Sequence, residues 1–138
     1  MRPSSAVHRL SQGVPAVRIL VAADDQVTSK TICAMLRGIG HQPVPAFDAV
    51  QTLMLAMRAP QPEAIMLDLN MPGGTGMGVL DKLQASTKTV GIPVIVLSGS
   101  TDPGARESAL GAGANAFIGK PATAENLKGA LDALGNGA

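Results

Sequence analysis

Two hydrophobic rhythms alternate along this chain. Short, mainly apolar runs occur at Val17 to Ala23, Ala64 to Leu67, Pro93 to Leu97 and Ala116 to Gly119. Between them, apolar residues recur three and four apart, as in Ile32, Met35, Leu36 and Ile39, in Val79, Leu80 and Leu83, and in Leu127, Leu131 and Leu134. The runs predict buried strands and the spaced residues predict amphipathic helices. Gln42 to Phe47 adds a further strand, with Pro43 and Pro45 two residues apart. Their missing N–H groups fall on one side of that strand, which only a sheet edge tolerates.

Punctuation supports the same division. Gly38 marks the expected stop of the first helix. Asp48 with Gln51 forms a capping box ahead of a helix whose stripe reads as Val50, Leu53, Met54 and Met57. The methionines at 54, 57 and 66 read as core packing, not a cofactor site. Gly76 and Gly78 weaken the third helix, Pro103 suits the first turn of a fourth that runs to about Leu110, and Thr123 caps the fifth. Strands with continuous apolar content separated by helices imply a parallel sheet covered on both faces. With the proline-bearing strand on an edge and right-handed crossovers, the expected fold is α/β: a five-stranded parallel sheet of order 2-1-3-4-5, flavodoxin-like (βα)5 with helices on both faces. In such a sheet the functional crevice lies at the carboxyl ends of strands 1 and 3.

Composition narrows the possibilities. With 138 residues the chain makes one domain, read as a flexible leader over residues 1–16 and a folded unit over 17–136. Eleven basic residues against ten acidic ones, no basic run and no Trp or Tyr argue against nucleic acid as a direct partner. Cys33 stands alone without His or Cys at metal-ligand spacing, as a buried small group in a reducing compartment. No apolar stretch is long enough to span a bilayer, and the leader lacks the apolar core of a signal peptide, so a cytoplasmic protein without membrane contact is expected.

The chemistry gathers where strands end. Asp68 closes an apolar run and is followed at once by a Pro/Gly turn, Asp24 and Asp25 close the first run, Ser98 closes a later one, and Lys120-Pro121 follows the last. Asp68 alone would read as a turn former, Asp24 and Asp25 as helix caps, Ser98 as a loop hydroxyl and Lys120 as a surface charge. For Asp25 the cap is the favoured reading. The constellation resembles the receiver domain of bacterial two-component response regulators, of the small chemotaxis-regulator type, from Val17 to Leu134. The signature Asp-Leu-x-Met-Pro-Gly-x-x-Gly stands intact from Asp68 to Gly76, with Asp24 44 residues before Asp68, and Ser98 and Lys120 30 and 52 residues after it.

The resemblance implies a phosphorelay module whose Asp68 takes a phosphoryl group from a sensor histidine kinase or a histidine phosphotransfer protein. A carboxylate suits this because phosphoryl transfer asks the protein mainly to position groups and neutralise charge. It further implies Mg²⁺ on Asp24, Asp68 and the backbone carbonyl of Asn70, with Asp25 an uncertain further ligand. Lys120 and Ser98 would contact the phosphoryl oxygens, Gly99 would leave the entry open, and Phe117 would act as the switch aromatic. The face made by the fourth helix, fifth strand and fifth helix would engage a downstream target protein. The expectation is a stand-alone signalling protein and not an enzyme, beyond catalysing its own phosphorylation and dephosphorylation.

One position departs from the pattern. The first of two adjacent acids usual in the first loop is here Ala23, which predicts weaker metal binding. A degenerate receiver acting as a phosphorylation-independent interaction module is therefore the rival reading. A phosphatase of the haloacid dehalogenase type would need an acid where Asn70 stands, and a flavin domain would need a hydroxyl-rich phosphate loop and an aromatic to stack on the ring.

Overall fold

A computed structural model describes residues 17–70, 76–99 and 104–136. The strands are β1 (Arg18–Ala22), β2 (Gln42–Ala46), β3 (Ala64–Asp68), β4 (Val94–Ser98) and β5 (Ala116–Gly119). They alternate with α1 (Gln26–Gly38), α2 (Ala49–Met57), α3 (Gly76–Ala85), α4 (Gly104–Gly111) and α5 (Ala124–Asn136). All pairings are parallel and the order is β2-β1-β3-β4-β5, as the apolar pattern predicts. The leader, the turn over 71–75 and Pro103 lie outside the described residues.

The two-residue period of each strand divides the core into two layers. Leu20, Ala22, Ile65, Leu67, Val94 and Val96 point to one face of the sheet, where Ala49, Ala56, Val79, Leu80, Leu83 and Ala109 of α2, α3 and α4 cover them. Ile19, Val21, Ala64, Met66, Ile95 and Leu97 point to the other, under Ile32, Cys33 and Leu36 of α1 and Leu127 and Leu131 of α5. Both proline positions lie on the edge strand, Pro43 in register with Ile19 and Pro45 with Val21. Cys33 is buried and free, as expected, and burial raises its thiol pKa.

Helix ends follow the capping residues closely. Asp48 accepts from the backbone N–H of Gln51 at 2.7 Å, while the Gln51 side chain reaches back to the N–H of Phe47 at 2.8 Å. Thr123 Oγ1 accepts from the N–H of Asn126 at 3.0 Å, ahead of α5. α1 ends at Gly38, as expected. Gly38 keeps ordinary backbone angles and the left-handed residue is Gly40, at φ 94°, where the chain turns into β2.

The stripe expected on α2 is a correction. Its inward face is Ala49, Thr52 and Ala56, with Leu53 partly buried against the same layer, whereas Val50, Met54 and Met57 are exposed. Met66 alone of the three methionines packs in the core. Because α2 is apolar on nearly every side, hydrophobic period cannot select a face. Small residues win the inward positions because they let the helix lie close to the sheet.

Gly76 is the other residue whose role the pattern understates. A Cβ there would stand 2.8 Å from the Asp68 carbonyl oxygen and closer still to Leu69 Cα, both backbone atoms that cannot step aside. Its own N–H donates to Leu69 O at 3.0 Å, holding the start of α3 against the end of β3. Gly76→Ala should lower unfolding free energy by about 2–3 kcal/mol in denaturant titration, an overpacking cost that backbone neighbours cannot relieve.

Candidate functional site

The site forms at the carboxyl ends of β3, β4 and β5, beside the point where strand order reverses between β1 and β3. Asp68 is the last residue of β3 and pairs in register with Leu97, so Ser98 follows one step along the neighbouring strand. Ser98 in turn pairs with Gly119, and its carbonyl accepts from the Lys120 N–H at 2.9 Å. Strand register thus carries Lys120 to Asp68 across a separation of 52 residues.

The resulting contact is short and largely dry. Lys120 Nζ donates to Asp68 Oδ2 at 2.6 Å, with 1% of the Asp68 side chain and 24% of the Lys120 side chain exposed. The other carboxylate oxygen, Oδ1, accepts from the Asn70 N–H at 2.9 Å. A carboxylate out of water is tolerable only with such partners, and here each oxygen has one. Ser98 is buried next to this pair, whereas Asn70 is exposed. Gly99 is not sterically demanded, because a Cβ there would make ordinary contact with Lys120 Cδ at 3.8 Å.

The first-strand acids divide their work. Asp25 caps α1: its carboxylate accepts from the Val27 N–H at 3.2 Å, the Thr28 N–H at 3.3 Å and the Thr28 hydroxyl at 2.7 Å. The Thr28 hydroxyl, followed by the Val27 N–H, holds the carboxyl below its ordinary pKa. Asp24 is exposed in the same loop, two residues beyond Ala22, which pairs with Leu67. Among the described residues no group of three or more His, Cys, Asp or Glu gathers as a metal cluster. A donor set of Asp24, Asp68 and the Asn70 carbonyl fits a hard, octahedral cation that keeps several waters and takes one or two carboxylates.

Phe117 lies in β5 opposite Val96, half-buried, and lines a surface groove of about 590 Å³ with Arg106 and Leu110 of α4 and Asn126 and Ala130 of α5. A second groove, about 370 Å³, opens beside Lys120 between Val27, Thr28 and Thr31 of α1 and Pro121 and Ala122. Sequence reasoning passes over this groove. Its one signal is Val27, an apolar residue set just after the α1 cap.

An open doubly wound parallel sheet with a buried aspartate paired to a lysine beside its switch point defines a flavodoxin-like α/β domain. The chain belongs to the response regulator receiver domain family, which it matches over residues 19–132. It is 32% identical over 119 residues to the phosphate regulon transcriptional regulatory protein PhoB of Escherichia coli, covering 86% of this chain and 52% of that protein. It is 35% identical over 124 residues to the sensory/regulatory protein RpfC of Xanthomonas campestris, covering 88% of this chain and 16% of that protein. The chain therefore spans about half the length of PhoB and a smaller share of RpfC.

Among solved structures, the receiver domain of sensor histidine kinase PA1611 from Pseudomonas aeruginosa superposes with TM-score 0.79 at 28% identity, covering 88% of this chain and 98% of that one. That structure has a magnesium ion coordinated in its active site cleft. The chemotaxis response regulator CheY4 of Vibrio cholerae shares the fold at TM-score 0.79 and 23% identity, over 86% of this chain and 98% of that one.

Removing the amine should expose how much Asp68 depends on it. Lys120→Met is expected to cost about 2–3 kcal/mol in chemical denaturation at neutral pH, because it strands a buried carboxylate. Adding Asp68→Asn should return most of that loss, and the cycle of single and double variants measures the coupling.

Proposed function

We propose that this chain is a phosphorelay receiver in which Asp68 accepts a phosphoryl group from the phosphohistidine of a sensor kinase or phosphotransfer protein. The observation that supports this best is the 2.6 Å contact between buried Asp68 and Lys120 at the sheet's carboxyl end. An Asp68 carboxylate oxygen attacks phosphorus as the P–N bond breaks, and the electron pair returns to the imidazole, which takes up a proton. The Lys120 ammonium neutralises charge on the transferred group, and the Ser98 hydroxyl, once turned toward it, donates a hydrogen bond. Mg²⁺ on Asp24, Asp68 and the Asn70 carbonyl would supply further charge neutralisation when bound. Asp25 is left out of that set because its carboxylate is committed to the α1 cap.

Partners follow from the two grooves. The one beside Lys120 suits the approach of a phosphodonor domain, since it borders the acceptor itself. The Phe117 groove suits a downstream protein that reads the phosphorylated state. No helix among the described residues is long and apolar enough to cross a membrane, and a free, buried Cys33 is compatible with a cytoplasmic setting. Receiver domains are in general signalling modules and not enzymes, so turnover here would be limited to Asp68 itself.

A specific observation favours the rival reading of a phosphorylation-independent module. Ala23 is fully buried and offers no side-chain oxygen where an acid would help hold the cation.

Incubation with acetyl phosphate and Mg²⁺ followed by intact mass measurement separates the two. One added phosphoryl group is expected, absent in Asp68→Asn and absent with EDTA; an unchanged mass under saturating donor favours the interaction module. Ala23→Asp provides a second measure. In EDTA it should melt at a lower temperature than the parent chain, equivalent to about 1–3 kcal/mol for a buried unpaired carboxylate, and Mg²⁺ should restore it. No recovery with Mg²⁺ would mean that position 23 does not face the cation.

A further inference from the structure

We propose that a groove at the amino end of β1 binds a small carboxylic acid with an apolar body, its carboxylate held by Arg18 and Arg58. The groove encloses about 230 Å³ on the α2 side of the sheet. It lies at the end opposite Asp68, since Arg18 opens β1 and Asp68 closes the parallel neighbour β3. The two-residue period that turns Leu20 and Ala22 into the α2 layer carries Arg18 to the same side, so a guanidinium ends an otherwise apolar column. Leu20, Val44, Leu55 and Pro62 form the walls, and Arg58, the C-cap of α2, joins Arg18 at the lining. No acid lines the groove.

The hydrogen bonding of Arg18 indicates what the groove takes. Its Nη2 donates to Gln61 O at 3.0 Å, whereas its Nε is buried and has no acceptor. Glu63 turns Oε1 to the Arg18 backbone N–H at 3.1 Å, and neither Arg18 nor Arg58 forms an ion pair among the described residues. A buried donor without an acceptor is rare in a folded chain, and a guanidinium carries five N–H groups that want one. Two cations on one acid-free groove favour an anion, and a carboxylate matches the planar guanidinium fork with two parallel hydrogen bonds. The walls select the remainder of the ligand. A bare anion would leave Leu20, Val44 and Leu55 without a partner, whereas a ring or branched hydrocarbon beside the carboxylate removes their surface from water.

Size limits the ligand and its affinity. The groove is smaller than the roughly 300–1,000 Å³ of drug-sized sites, so it suits an acid of about ten non-hydrogen atoms. At the usual free energy per ligand atom, the dissociation constant should lie at about 0.1–1 mM. The site is separate from the phosphoacceptor crevice, and its occupancy does not depend on the receiver reading.

An NMR titration of the intact, isotope-labelled chain with sodium phenylacetate, carried to about 10 mM, tests the site. Saturable shifts are expected at the amides of Leu20, Val44 and Ala59 and at the Arg18 Nε–H, with the amides of Asp68 and Ser98 unmoved. Phenylacetamide keeps the ring without the charge, and acetate keeps the charge without the ring; each should bind roughly tenfold more weakly or worse. Arg18→Gln should weaken phenylacetate roughly tenfold and Arg58→Gln about threefold. Arg58 is exposed and free of ion pairs among the described residues, so its variant keeps the fold even if loss of the Gln61 contact unsettles Arg18→Gln, and thermal melts check both. Four results would overturn the proposal: no saturation, equal binding of phenylacetamide, equal binding of acetate, or shifts that survive Arg58→Gln undiminished.

Discussion

A carboxylate with 1% of its side chain in contact with solvent is the constraint around which this molecule is arranged. Asp68 ends the central strand of the sheet, where apolar neighbours on both layers exclude water, and Lys120 and the Asn70 N–H meet its two oxygens. The amine arrives from the end of β5, two strands away, which makes the pair hostage to the register of β3 on β4 and of β4 on β5. Parallel register is in turn fixed by the two core layers, since a slip of one residue would send Ile65 and Leu67 to the wrong face. Packing far below the crevice therefore holds a 2.6 Å contact at its top.

The same dependence explains why α3 begins with glycine. The backbone of Gly76 lies against Leu69 and the Asp68 carbonyl with no space for a side chain. A residue that lowers helix propensity thereby secures the strand end. Asn70 lies two residues beyond Asp68, and its N–H is the second partner of the carboxylate, so the backbone just past β3 and the electrostatics of Asp68 are one arrangement.

Much of this was readable before any coordinates. The continuous apolar runs foretell a sheet buried on both faces, and the proline pair of β2 places that strand at the edge, because a missing donor is a local and unconditional fact. The Asp48, Asp25 and Thr123 caps are legible for the same reason. The α2 stripe is not, because a helix with apolar residues on nearly all sides carries no periodic contrast, and the choice between Ala49-Thr52-Ala56 and Val50-Met54-Met57 was decided by how closely a helix can approach β1 and β2. Convergence of Asp68 and Lys120 is legible only through resemblance to a family pattern. Nothing in the local sequence around position 120 distinguishes a lysine that reaches a buried acid from one that reaches solvent. The groove beside Lys120 has no sequence signature beyond Val27, since its walls come from α1 and from the segment after β5.

The first loop shows how one local preference can limit a distant function. Asp25 is the acid nearest in sequence to Asp24 and would be the natural substitute for the carboxylate missing at Ala23. Its oxygens, however, are satisfied by Val27 and Thr28, and the lowered pKa shows the charged form stabilised in that role. Turning Asp25 toward the crevice would uncap α1, whose inner face of Ile32, Cys33 and Leu36 covers the sheet. In the proposed receiver, helix capping and cation binding would compete for the same side chain, and the cap has the advantage of three contacts already formed. Asp24 is left as the acid of the loop that takes no part in the cap, so any cation there would rest on fewer protein charges and more on its own water shell.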